Sequence, residues 1–300
     1  MTHLDHKEEK RMTSEKKYRF LLVPAFRLPA DSRFMDTWHQ IDLPKEKRLG
    51  ANYNNIKHLL EDVDWDFHEG AVAPYGDWAV ENREEFCLVA ARRLPIVREA
   101  CESGKYNAIV LLGGGEPGAM ESREIGRKYG IPVTSCAFSQ MHIASMLGNK
   151  FSVIDFAESH NMHYYDLVVQ HRFTERCASI RNIGYVHQRP GNMDAPSLSK
   201  EREKAVRGEP SEAVDRAVSE AVSAIEEDGA EVITFGCSGV FWLQPFVKKH
   251  LHEMGWEIPV LEGFSCAIVL AKLMVNLGVD ASGLMFPGDR PKKWRRRKIF

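Results

Sequence analysis

The chain has 300 residues, of which 44% are hydrophobic and 27% charged, as in an ordinary globular protein of one large or two average domains. Its formal net charge of -2 gives no global field that would attract nucleic acid or an anionic membrane. No apolar run reaches the roughly 20 residues that a membrane span needs, and the polar start, 1–17, lacks the apolar stretch of a secretory signal. We therefore expect a cytoplasmic protein.

Short apolar runs alternate along the chain with longer segments of helical periodicity. Strands are predicted at 18–23, 63–72, 107–112, 132–136, 151–154, 180–186, 231–235 and 259–261, and helices at 84–94, 141–147, 211–228, 240–254 and 265–277. Several of the strand runs are almost continuously apolar, which is typical of strands covered on both faces. This alternation predicts an α/β protein with doubly wound parallel sheets.

Three segments fall outside this alternation. The stretch 187–208 has no periodicity and contains two prolines, so we expect a long excursion of the kind that is usually functional or mobile. Residues 1–17 and 288–300 are charged tails. The basic run 292–298 indicates a solvated tail, with contact to RNA or acidic lipid as the alternative.

The six cysteines include no C-x-x-C pair, which excludes the usual zinc ribbon and redox dithiol patterns. His160 and His163 are spaced as half of a metal site, but the sequence offers no third ligand nearby. We therefore expect no metal and no cofactor.

Two small-residue turns each follow a predicted strand and open a helix. The first is Gly113-Gly114-Gly115, and the second is Gly236-Cys237-Ser238-Gly239. Ligands of open α/β sheets bind beyond the carboxyl ends of strands, where bare N–H groups at a helix start can hold an anion. A cysteine at such a position tends to have a lowered pKa, so Cys237 is the expected catalytic group. A dinucleotide loop at 113–118, or purely structural turns, are the alternatives.

The segments IVLLGGGEPGAM, MHIASMLGNKFSVI, EVITFGCSG and IPVLEGFSCAIVLAKLMVNLG resemble the aspartate/glutamate/hydantoin racemase superfamily. The resemblance implies two α/β lobes related by a pseudo-twofold axis, with the active site in the cleft between them. We expect 18–135 with 264–287 to form the first lobe and 136–263 the second. The last helix should then return to pack on the first lobe.

Racemases of this superfamily place one cysteine on each side of the substrate carbon, so that one thiolate removes a proton and the other thiol returns one. Here Gly113 stands at the first cysteine position and Cys237 at the second. This arrangement is similar to that of arylmalonate decarboxylase in the same superfamily, whose single thiol protonates an enolate. Glu116 could replace the missing acid or base, or simply cap its helix. Gly113→Cys should restore a second thiol if the backbone there accepts a side chain.

The resemblance implies an isomerase that moves a proton at a carbon next to a carboxylate or carbonyl of an amino acid, hydantoin or dicarboxylate-like substrate. A decarboxylase and a binding protein without activity are the alternatives. The substrate-binding candidates are Gly113, Gly114, Gly115, Ser238, Gly239, Asp155, Phe156, Ser159 and Arg27. Helix capping is the alternative for Asp155, Ser159 and Ser238, and simple surface exposure is the alternative for Arg27. The expected partner is a small carboxylate, dicarboxylate or cyclic amide, without nucleic acid or membrane, and a homo-oligomer is left open.

Overall fold

Two parallel sheets organise the computed structural model, which describes residues 16–288 and 293–295. The first sheet has the order β2-β1-β3-β4, and the second has the order β6-β5-β7. Their strands are β1 Tyr18–Val23, β2 Val63–Phe67, β3 Ala108–Leu111, β4 Val133–Ser135, β5 Phe151–Asp155, β6 Cys177–Asn182 and β7 Val232–Phe235. The predicted α/β class with parallel sheets is confirmed.

Helices connect the strands. They are α1 Lys45–Arg48, α2 Asn52–Ile56, α3 Arg83–Glu102, α4 Ala119–Lys128, α5 Cys136–Leu147, α6 Asn161–Gln170, α7 Leu198–Val206, α8 Glu212–Glu226, α9 Gln244–Glu253 and α10 Gly263–Leu277. Short 3₁₀ turns lie at Thr37–His39, Lys57–Leu59, Glu158–His160 and Ser238–Leu243. None of the helices in the described ranges has the length and hydropathy needed to span a bilayer.

Most predicted elements lie where the sequence placed them, although several differ in their bounds. The predicted helix 84–94 continues to Glu102 despite Pro95, because its later turns bury Val97 and Cys101 in the core. The predicted strand 63–72 ends at Phe67, and only an isolated bridge between Arg27 and Val72 follows. The predicted strand 259–261 is likewise a single bridge.

The predicted strand 180–186 was wrong by three residues at its start and four at its end, since β6 is Cys177–Asn182. Its last residue, Asn182, pairs with Asp155, where β5 also ends. Ile183 and Tyr185 then continue along the chain with their N–H groups on the carbonyls of Asp155 and Phe156. Their apolar side chains are buried in the core, which is why the sequence pattern looked like strand.

The last helix, α10, packs against β3 and β4 of the first sheet and against α5. Thr134 of β4 donates a hydrogen bond from its hydroxyl to the carbonyl of Ala267 in α10. Tyr18 of β1 donates to the side chain of Asn276 near the end of the same helix. The expected return of this helix to the first sheet is therefore observed, while the lobe boundaries remain a prediction. The tails 1–15, 289–292 and 296–300 lie outside the described residues.

Candidate active site

The two glycine-containing turns border one cavity of about 340 Å³. Gly113, Gly114 and Gly115 line one part of it, and Cys237, Ser238 and Gly239 line another. The two backbones also approach closely, because a Cβ added to Gly114 would stand 2.8 Å from the Cα of Cys237. A ligand in this cavity can therefore contact both turns at once.

The first turn leaves the end of β3 with unused donors. Within the described residues, the N–H groups of Gly114 and Gly115 donate to no other backbone group. The turn is held instead by the N–H of Glu116 on the Gly113 carbonyl, at 3.3 Å, and by Nε2 of His163, which donates to the Gly115 carbonyl at 2.8 Å. Two free amides at a helix start are suited to hold an anionic oxygen.

Gly113 adopts a backbone conformation that a cysteine would rarely accept. Its φ is +123°, and a Cβ added there would stand 3.0 Å from the Cβ of Ala25. The position of the first cysteine is thus closed by conformation and by the Ala25 methyl group. The condition under which we expected Gly113→Cys to fit, a backbone that accepts a side chain, is therefore not met.

A buried arginine lies beneath the first turn. Arg93 has no accessible surface, and its guanidinium donates to the carbonyls of Val23, Leu112 and Pro117 at the carboxyl ends of β1 and β3. Burial lowers its pKa to about 9, so Arg93 stays charged at neutral pH. The cation therefore ties the ends of β1 and β3 to the turn that precedes α4, one peptide away from Gly113.

The second turn holds the thiol. Cys237 precedes the 3₁₀ turn Ser238–Leu243, and its Sγ accepts a hydrogen bond from the Gly239 N–H at 3.4 Å. Burial and the nearby Asp155 carboxylate raise the pKa of the Cys237 thiol to about 12, although hydrogen bonds from Gly239 and Ser238 act in the opposite direction. The sequence predicted a lowered pKa. Burial outweighs the helix terminus here, so Cys237 is a protonated thiol at neutral pH.

Four sequence candidates do not line the cavity. Both carboxylate oxygens of Glu116 are engaged elsewhere, one by the Phe138 N–H at 2.6 Å and the other by His171 Nε2 at 2.9 Å. The Ser159 hydroxyl donates to Glu81 at 2.7 Å, and Arg27 Nε donates to the Gly70 carbonyl. Phe156 is buried in the core against the rings of His160 and His187. The expectation that these four side chains meet a substrate in the cleft is not met.

Sequence reasoning missed the part of the cavity wall that comes from outside the sheets. One segment follows β1 and contributes the aromatic residues Phe34, Trp38 and His39; the other contains Ser197, Leu198 and Arg202 at the start of α7. The second segment belongs to the excursion 187–208, whose lack of periodicity was its only signal. Arg202 joins the two segments, because its Nη2 donates to both carboxylate oxygens of Asp36 at 3.0 Å.

Four histidines also line the cavity: His39, His160, His163 and His187. Burial lowers the pKa of His39 and that of His187 to about 4, so both are neutral at physiological pH. The Leu28 N–H donates to Nδ1 of His39, which leaves the proton of the neutral ring on Nε2. Across the described ranges, no three His, Cys, Asp or Glu side chains come together as a metal site.

A parallel α/β fold thus brings a half-buried thiol and two free backbone amides to one cavity, an arrangement that can move a proton and hold a negative oxygen. Residues 75–271 match the family model described as Asp/Glu/Hydantoin racemase, and the chain belongs to that family. The predicted superfamily is therefore confirmed.

Two relatives found by sequence are hydantoin racemases. The chain is 29% identical over 215 residues to a hydantoin racemase of Pseudomonas sp. (strain NS671), covering 71% of this chain and 76% of that one. It is 26% identical over 207 residues to the hydantoin racemase of Paenarthrobacter aurescens, covering 69% of this chain and 78% of the relative. These homologues are isomerases, the enzyme class that the sequence predicted first.

Solved structures show the same fold. The allantoin racemase from Klebsiella pneumoniae superposes with a TM-score of 0.65 at 20% identity, over 92% of this chain and 95% of that one. The allantoin racemase from Pseudomonas fluorescens superposes with a TM-score of 0.64 at 22% identity, over 92% of this chain and 99% of that one.

Proposed function

We propose that this protein moves a proton at a carbon next to a carbonyl group of a small cyclic amide or carboxylate, with Cys237 as the proton carrier and no cofactor. The observation that carries the proposal is the position of the Cys237 thiol. It borders the same cavity as the Gly113–Gly115 turn, whose free amides can hold the oxygen of an enolate. Hydantoin and allantoin, which appear in the names of the relatives, are cyclic ureides with such a carbon.

The chemistry divides between the two turns. The enolate oxygen would accept hydrogen bonds from the N–H groups of Gly114 and Gly115, and also from Ser238, which as the first residue of its 3₁₀ turn has no intrahelical partner. Once a base has removed the α-proton or carbon dioxide has left, the S–H proton of Cys237 would pass to the enolate carbon, leaving a thiolate that the Gly239 N–H stabilises. The reverse step returns the proton to sulfur. Asp155 borders the thiol but is itself buried, so we assign it no direct contact with substrate.

A second candidate, decarboxylation, is favoured by the conformation of Gly113. Racemisation needs a proton carrier on each face of the substrate carbon, and a side chain at position 113 would be strained by the positive φ and crowded by the Ala25 methyl group. Loss of carbon dioxide needs only one: the C–C bond breaks, its electron pair stays on the enolate, and the Cys237 proton completes the carbon. The protonated state of Cys237 suits that role. For racemisation, the second carrier would come from the histidines of the cavity wall.

The decisive experiment follows hydrogen exchange in heavy water. Single enantiomers of 5-substituted hydantoins and of allantoin, and α-substituted malonates, are incubated with the wild type, with Cys237→Ala and with the control Cys87→Ala, which removes an exposed thiol. We expect turnover by the wild type and the control, and at least a 100-fold loss in Cys237→Ala.

The products separate the candidates. Exchange accompanied by inversion supports the racemase, whereas carbon dioxide release with deuterium in one product enantiomer supports the decarboxylase. Turnover by Cys237→Ala near the wild-type rate would refute both. Tight binding without turnover of any compound would indicate a binding protein instead.

A further inference from the structure

Asp155 stands at the point where the second sheet meets the thiol. It is the last residue of β5, and only 1% of its surface is accessible. One carboxylate oxygen, Oδ1, accepts the N–H of Cys237 at 3.2 Å and the N–H of Phe156 at 2.7 Å. The carboxylate therefore accepts a hydrogen bond from the backbone N–H of the same residue that carries the thiol.

The other carboxylate oxygen is enclosed. A Cβ added to Gly236 would stand 2.2 Å from Oδ2, so the glycine before Cys237 leaves the space that this oxygen occupies. Within the described residues Oδ2 has no hydrogen-bond partner, and its nearest cation is Nδ1 of His160 at 3.5 Å. Asp155 lines the cavity, but only 1% of its surface is accessible, so we assign it an effect on the substrate only through its neighbours.

We propose that Asp155 is a positioning residue for Cys237: its carboxylate fixes the Gly236–Ser238 turn through the Cys237 N–H and places a negative charge next to the residue that carries the thiol. The proposal rests on the proposed role of Cys237 as the proton carrier.

The Asp155 carboxylate also acts on Cys237 through its charge, since Oδ1 lies 3.2 Å from the Cys237 backbone nitrogen. A thiolate at Cys237 would stand beside a second negative charge in a buried site, so the Asp155 carboxylate raises the pKa of the thiol in addition to burial. The other ionisable groups that face Asp155 are His160, His187 and Tyr164. Burial lowers the pKa of His160, but the neighbouring Asp155 and Glu81 carboxylates raise it by more, so a protonated His160 offsets part of the negative charge. Once Cys237 has given up its proton, the same repulsion favours taking another.

The test measures the reactivity of Cys237 without any substrate. Iodoacetamide labelling of Cys237 is followed by peptide mass spectrometry from pH 7 to pH 10 in the wild type and in Asp155→Asn, which keeps the shape and the acceptor oxygen but removes the charge. At pH 8 we expect labelling in Asp155→Asn to be at least about tenfold faster, which corresponds to one pKa unit. Glu116→Gln is the matched control, since it neutralises a buried carboxylate that does not contact Cys237, and its labelling rate should equal that of the wild type.

A second variant, Asp155→Ser, covers the case in which the asparagine does not fold, as judged by circular dichroism. Unchanged labelling of Cys237 in whichever variant folds would overturn the proposal. Because labelling needs no turnover, this result is independent of whether the proposed reaction is correct. If it is correct, the alkaline limb of the kcat profile should also move to lower pH in Asp155→Asn while KM stays constant.

Discussion

The backbones of Gly114 and Gly236 touch across the two sheets: a Cβ added to Gly114 would stand 1.6 Å from the Gly236 carbonyl oxygen. No real side chain tolerates such a distance. One turn follows β3 of the first sheet and the other follows β7 of the second, so this contact joins the two sheets at the cavity.

Gly114→Ala should therefore damage both stability and activity. The new methyl group must push the two turns apart, and overpacking of this kind costs about 1–3 kcal/mol of unfolding free energy. Urea unfolding measures the loss of stability, and turnover of the hydantoins, allantoin and malonates named above measures the loss of activity. Gly283→Ala is the control, because its Cβ would meet only the flexible guanidinium of Arg127. Wild-type turnover by Gly114→Ala would contradict the close contact.

Gly113→Cys should destabilise the protein without creating a second proton carrier. The positive φ costs about 1–3 kcal/mol for a residue with a side chain, and the Ala25 methyl group adds a close contact. Adding Ala25→Gly removes the contact but not the strain, so the double variant should recover only part of the stability. Thermal unfolding and hydrogen exchange in heavy water report the outcome. A single variant as stable as the wild type would show that the turn relaxes easily.

The ion pair between Asp36 and Arg202 should couple the two segments of the cavity wall. Both side chains are partly exposed, so a double-mutant cycle with Asp36→Asn and Arg202→Gln should give a coupling energy of about 0.5–1 kcal/mol. We also expect KM to rise more than kcat falls, because the pair shapes the wall rather than the reacting atoms. The exposed pair Arg207 and Glu209 serves as the control cycle and should give a smaller coupling energy. Strictly additive effects of the Asp36 and Arg202 substitutions would refute the coupling.

Acid should destabilise the protein through His187. Its pKa is lowered to about 4 by burial, whereas the unfolded chain binds the proton near its ordinary value of about 6.5. The stabilisation is therefore complete above pH 6.5 and is lost as the pH falls towards 4, amounting to about 2 kcal/mol. The difference in unfolding free energy between pH 7 and pH 4.5 should shrink by that amount in His187→Gln. An unchanged difference would show that His187 is accessible to protons in the folded state.

The fold could be predicted from the sequence because its information is local. The strands β1, β3, β5 and β7 are apolar runs bounded by turn residues. A strand that is buried on both faces needs apolar residues at nearly every position, so the pattern can be recognised in the sequence. The glycine turn and the Cys237 turn could be predicted for the same reason. The length of β6 could not be predicted. It is limited by its partner strand β5, which ends at Asp155, and nothing in the sequence of β6 itself indicates where β5 ends.

The rest of the candidate site depends on contacts between distant segments. Asp36 and Arg202 are 166 positions apart, and neither residue type is unusual for a surface. The direction of the Cys237 pKa shift depends on how deeply the fold buries the thiol and on Asp155, which is 82 positions away. Glu116 looked suited to a site because it adjoins the glycine turn, but its positive φ of 53° and its contact with His171 turn it towards α5.

Part of the cavity wall comes from the segment after β1 and from the start of α7, outside both sheets. Substitutions in this part of the wall therefore differ in their effect from substitutions at the strand ends. The groups that we propose to handle protons lie at strand ends, where Arg93 and the Gly114–Gly236 contact leave little freedom for substitution. Phe34, Trp38 and Leu198 also line the cavity, but none of them belongs to a strand of either sheet. Mutations in these wall residues change which molecules fit in the cavity but do not touch the groups proposed to handle protons. Evolution can therefore change the substrate of such a protein without changing its proposed catalytic residues.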